Sequence, residues 1–184
     1  MNIFSYVVDH DEGKEPNPHF GSCTLCRCKY SESLEETHGV KGRKNIVELA
    51  EIGDWVIGTG GTGSRSAGKG KLIYTMRVDE KPTRGKFYED PRFLRKNPKR
   101  PENNFQREGQ FALVSRHFWY FGSEAIEIPS KFRLEKNPRG FHYINPAEFR
   151  PFLKWLEANY RAGKQGEPCY RENTKGIKPC KSCC

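Results

Sequence analysis

The spacing of apolar positions along the chain predicts a short series of elements. Residues 3–8 are apolar and rich in β-branched and aromatic side chains, which predicts a first strand; residues 9–18 hold Gly13, Pro16 and Pro18 and predict a loop. Ile46, Val47, Leu49, Ala50 and Ile52 fall near one helical face, so residues 44–52 predict a helix, stopped by Gly53-Asp54 before a strand at 55–59. After a glycine, serine and threonine loop at 60–70, Leu72, Tyr74, Met76 and Val78 alternate with Lys71, Ile73, Thr75 and Arg77. That period of two predicts a second strand, paired with the first as a hairpin.

Further on, residues 82–101 begin with a short helix around Phe87 and end in Asn97-Pro98-Lys99-Arg100-Pro101, which cannot continue a helix. Three short β segments follow at 111–115, 118–121 and 124–128. Asn145-Pro146 with Glu148 reads as a helix start, and Phe149, Phe152, Leu153, Leu156 and Tyr160 form one apolar stripe, although Pro151 predicts a kink or a later start. Beyond Ala162 the chain is polar and rich in glycine and proline. The pattern therefore predicts one α+β domain over residues 1–162 and a Cys-rich tail over 163–184, ordered if a metal holds it.

Composition narrows the class. The 184 residues suit one domain with a tail, and aromatic residues at 12% mean a core built largely from rings. No apolar run approaches the roughly 20 residues of a membrane-spanning helix, and the start of the chain lacks the pattern of a secretory signal. The expectation is a cytoplasmic protein with no membrane contact. Lys and Arg number 32 against 23 Asp and Glu, a net charge of +9, and residues 81–107 hold nine of the cations against three acids. Phe87, Tyr88, Phe93 and Phe105 are interleaved there. Lys86, Arg92, Arg95, Lys96 and Arg100 are candidate phosphate contacts beside rings, the alternative being a solvated loop.

Seven cysteines form two knots, Cys23, Cys26 and Cys28 near the start and Cys180, Cys183 and Cys184 at the end, with Cys169 between. An odd count argues against a disulfide framework. Cys23, Cys26, Cys180 and Cys183 have the paired spacing of a zinc site that the fold would have to assemble; buried thiols and redox dithiols are the alternatives. Residues 63–70 nearly match a phosphate loop, but Gly70 stands where a hydroxyl is needed and a strand follows instead of a helix. The metalloprotease and nucleophile-elbow patterns do not occur, and the zinc-deaminase pattern is half met. An enzymatic reading would use Cys23 or Cys28 as nucleophile or metal ligand and His117 or Asp54 as proton carrier. In the aromatic run from His117 to Gly122, consecutive strand residues face opposite ways. Trp119 or Tyr120 is thus a candidate for stacking a base, unless both faces are covered.

Several motifs occur together in order: Tyr6-Val7-Val8, Pro16-Asn17-Pro18, Gly21-x-Cys23-Thr24-Leu25, Cys28-Lys29, residues 53–60 (GDWVIGTG), Tyr88-x-Asp90-Pro91-Arg92-Phe93, and Ser115-x-His117-Phe118-x-Tyr120-Phe121-Gly122. This order resembles the nucleotide modification associated domain family, second type, over roughly residues 3–160. The resemblance implies a phage or bacterial setting of modified DNA bases. The Gly-Asp-Trp strand start is also similar to barrel domains of the pseudouridine synthase and archaeosine transglycosylase type. That likeness implies a small curved or barrel-like mixed sheet (PUA-like) with flanking helices, and a pocket bordered by Trp55, Thr59 and Gly60. The Asn17–Cys28 loop, with Thr24, would close over it. The expected function is recognition of a nucleotide or a base, modified or not, with nucleic acid as partner; an enzyme modifying such a base is the alternative.

Overall fold

The computed structural model describes residues 1–26, 35–37, 40–42, 45–63, 66–94, 111–134 and 140–169. In chain order the elements are β1 (Ile3–Val8), β2 (Cys23–Leu25), β3 (Glu35–Thr37), β4 (Val40–Gly42), α1 (Ile46–Leu49), β5 (Trp55–Gly60), β6 (Lys71–Arg77) and α2 (Arg84–Glu89). There follow β7 (Leu113–Ser115), β8 (Phe118–Tyr120), a 3-10 turn at Gly122–Glu124, β9 (Ile126–Glu127), β10 (Phe141–Tyr143), α3 (Pro146–Asn159) and β11 (Gly163–Lys164). Every residue of β1 and β5 is buried, which explains their nearly continuous apolar sequences: strands covered on both faces have no polar side to alternate with.

The main sheet is mixed and runs β10-β1-β5-β6-β8-β11, with β9 also paired to β6. β1 and β5 are parallel; β5 and β6 form the expected antiparallel hairpin. The path ends at β10 on one side and β11 on the other, so the sheet is open and the expected barrel closure is not formed. The α+β class stands, with three α-helices among the described residues. One face of the sheet packs Ile3, Trp55, Ile57, Leu72, Trp119 and Phe121 under Phe149, Phe152 and Leu156 of α3. The other packs Phe4, Tyr6, Val8, Val56, Tyr74 and Tyr120 against Ile46 and Val47 of α1 and against Cys23, Leu25 and Leu113 of the β2–β7 pair.

Two helices differ from expectation for local reasons. α1 opens with a capping box, Asn45 accepting from Glu48 N at 3.0 Å while its own N–H donates to Glu48 Oε2 at 3.3 Å. It stops at Leu49, because Asp54 takes the Glu51 N–H at 2.9 Å and draws residues 51–54 into a turn. α3 runs unbroken through Pro151. That residue and Ala147, whose carbonyl loses its partner, are both exposed, so water can take the missing bond.

The fold also continues past the expected boundary at residue 162. β11 pairs in parallel with β8, and Gly166, Pro168 and Cys169 are buried. Gly166 makes this strap possible: a Cβ there would overlap the Phe121 carbonyl oxygen. We expect Gly166→Ala to lift the strap from the sheet at a cost of about 1 to 3 kcal/mol, read as a lower urea midpoint.

Candidate functional site

Parallel pairing fixes where two loops leave the sheet. β1 and β5 run in register from Ile3↔Trp55 to Val8↔Gly60, so the loop after Val8 and the loop after Gly60 start side by side at one edge. Ser66 ties them together, its hydroxyl donating to the Val8 carbonyl and accepting from Gly61 N–H, both at 2.7 Å. The first loop then forms a small hairpin whose base is the Asn17–Thr24 bridge, with N–H to O distances of 2.9 and 3.0 Å. Of the residues expected at the site, Thr59 and Gly60 stand at the end of β5 on this edge, and Asn17 and Thr24 form the base of the hairpin in the loop after β1.

Beneath that edge lies a row of phenols that sequence reasoning did not single out. Cα partners across four strands are Tyr6, Gly58, Tyr74 and Tyr120. Gly58 has no side chain in the row, and a Cβ there would overlap the Tyr74 ring. The ring therefore lies over the glycine, and the Tyr74 and Tyr6 hydroxyls meet at 2.8 Å although their strands are about 10 Å apart. At the end of the row the Tyr120 hydroxyl donates to both carboxylate oxygens of Asp11, at 2.7 Å each. Asp11 is fully buried and also receives the Gly13 and Cys169 N–H groups. Burial pushes its carboxyl up from the ordinary value of 3.8, and the three hydrogen bonds oppose that shift without cancelling it. Burial and the neighbouring Asp11 charge likewise push the Tyr120 phenol well up. Cys23 shares this cluster, and Cys169 lies at its edge. The one signal in the sequence was Asp9-x-Asp11 directly after a strand; nothing local marked Tyr6 and Tyr74 as neighbours.

Other expected residues lie elsewhere. Trp55 is at the opposite end of β5 from Gly60, five residues or about 16 Å away along the strand. It is 3% exposed and stacks on Trp119, itself 2% exposed, with ring centroids 6.4 Å apart; Phe149 packs on it at 5.2 Å. Both indoles face α3, so their ring faces are occupied by protein. His117 packs beside them, 5.4 Å from Trp55 and 5.0 Å from Trp119, on the face of the sheet opposite Cys23. Asp54 braces the start of the chain and the turn after α1, accepting from Asn2 N at 2.6 Å and from Glu51 N at 2.9 Å. Cys23, on β2, and Cys26, in the bend just after it, are buried thiols that pack in different clusters, Cys26 with Phe87 and Phe93. Among the described residues no three His, Cys, Asp or Glu side chains could hold a metal. Cys28, Cys180 and Cys183 lie outside the described residues.

The expected phosphate contacts divide similarly. Arg92 forks onto Glu80, Nη1 to Oε1 and Nη2 to Oε2 at 2.9 Å each, and reaches Asp90 Oδ2 at 2.7 Å. That guanidinium holds the Glu80 and Asp90 carboxyls below their usual range. Lys86, by contrast, is exposed and makes no ion pair among the described residues. Arg95, Lys96 and Arg100 lie outside the described residues. No described helix is long and apolar enough to cross a membrane.

Compared with known proteins, the chain is matched by the sequence model of one family, described as nucleotide modification associated domain 2, over residues 1–111 and 101–175. No curated protein and no solved structure matches it. The match covers both loops, the phenol row and the strap.

Because the folded state holds the Asp11 proton more tightly than the unfolded chain, the Asp11 contribution to stability is greatest below pH 3.8 and is lost as pH rises through the raised folded value. Glu80 and Asp90 act in the opposite sense, since their contribution is lost as pH falls. The stability difference between the native chain and Asp11→Asn, measured by urea unfolding from pH 3.5 upward, should therefore shift in favour of the variant as pH rises.

Proposed function

The chain belongs to the nucleotide modification associated domain 2 family, and from that premise we propose that it binds a nucleotide, or one base of a nucleic acid, at the edge where β1 and β5 end together. The observation that carries this reading is the parallel register of those strands, which starts two loops side by side above a buried polar row. Where loops from adjacent parallel strands diverge, the carboxyl ends of the strands leave room for a ligand. Thr59 and Gly60 stand at that edge, the loop after Val8 carries the Asn17–Thr24 bridge, and the net charge of +9 suits a phosphate-bearing partner.

One observation favours a second reading, an enzyme acting on the nucleotide or base. The Asp11 carboxyl, pushed toward its protonated form, shares a cluster with the Tyr120 phenol and the Cys23 thiol. A product found by mass spectrometry with the native chain and lost in a folded Cys23→Ala variant would select that reading.

Binding itself is tested by titrating single-stranded DNA and the four common mononucleotides at two salt concentrations. We expect affinity for DNA to fall with salt. Lys86→Gln should reduce the slope of log K against log salt by about 0.7, the share of one phosphate contact on a single strand. Arg92→Gln should instead lower the melting temperature, because it leaves Glu80 and Asp90 facing each other. Absence of binding to every probe at low salt would remove the proposal.

A further inference from the structure

Phe20 is placed where neither backbone nor side chain benefits from the fold. It lies at the tip of the hairpin closed by Asn17 and Thr24, with φ of 57°, in the left-handed region that bulky residues avoid. Its side chain is 60% exposed. The tip itself is held firmly. Asn17 Oδ1 accepts from His19 N–H at 3.3 Å, and the half-buried His19 imidazole lies beside Gly13 and Pro168, linking the hairpin to the Asp11 loop and the strap. Gly21 follows with φ of 74° and open space around it. A glycine or asparagine at position 20 would take this backbone without strain and without exposing a ring. Strain held in place by a rigid surround is a feature of binding elements, and the inference runs from the observed outlier to a role.

We infer that Phe20 is a stacking platform for a single unpaired nucleobase, an inference that rests on the proposed nucleotide-binding edge. One planar ring, with the His19 imidazole 6.2 Å away, offers a surface of the size of one heterocycle. A protein partner would need a far larger apolar patch than one ring flanked by His19, Gly21 and Ser22. Stacking is indifferent to which base is present, so Phe20 would supply affinity while neighbouring polar groups select.

The test uses the full chain, a fluorescein-labelled single-stranded DNA, and the four common mononucleotides. Phe20→Gly should weaken binding by about 5-fold to 150-fold, the effect of losing one stacked base, while the melting temperature stays the same or rises. Phe20→Trp should bind at least as tightly as the native chain. If the native chain binds and Phe20→Gly binds equally well, the stacking role is overturned and the binding edge stands. If Phe20→Gly loses binding and also melts lower, the ring is part of the hairpin's own packing and the inference is again overturned. If the native chain binds none of the probes, both readings fall together.

Discussion

The row of phenols depends on the gap left by Gly58. In an antiparallel pair, residues opposite one another project to the same face, and a side chain at position 58 would occupy the space that the Tyr74 ring fills. With the gap open, Tyr74 reaches across a whole strand to the Tyr6 hydroxyl. Such a buried hydrogen bond nets about 0.5 to 1.5 kcal/mol, and leaving one phenol unpaired costs about 1 to 3. The row therefore does less to stabilise the sheet than to specify its arrangement. Tyr120 extends it to Asp11, and Asp11 holds Gly13 and Cys169, so the loop after β1 and the strap after α3 are both anchored to one carboxyl.

The two faces of the sheet use aromatic residues differently. Toward α3, Trp55, Trp119, Phe149 and Phe152 pack ring on ring with few polar atoms, and the Trp119 indole N–H is satisfied by the Tyr160 carbonyl at 3.0 Å. Toward α1 the rings include Tyr6, Tyr74 and Tyr120, whose hydroxyls need partners, and those partners are one another and Asp11. One face thus buries hydroxyls and a carboxyl in mutual hydrogen bonds, while the other is almost wholly apolar. The densest aromatic run in the chain thus contributes to both, Trp119 to the dry face and Tyr120 to the polar one.

Charge is partitioned by the same logic. Arg92 is near Phe93, but its fork is matched to Glu80 and Asp90, so it fastens the end of α2 to the strand edge more than it projects a positive field. A cation with two carboxylates in contact is largely neutralised for a third anion. Lys86, by contrast, makes no ion pair among the described residues and keeps its charge exposed.

Local chemistry in the sequence was enough to determine most elements. The strand that begins at Lys71, the Asn145 cap, and the helical stripe from Phe149 to Tyr160 depend on residues within a few positions of one another, and each formed as expected. The ordered motifs likewise identified the family. Tertiary structure alone decided which of those residues come together. Trp55 and Gly60 belong to one motif, yet an extended strand separates them along its length, and α3 covers the former. Asp11 and Tyr120 are 109 residues apart, Tyr6 and Tyr74 are 68 apart, and the strap beyond residue 162 lies on β8. Such pairs are set by sheet order and register, which depend on the summed packing of both faces and leave no trace in the spacing of neighbours along the chain.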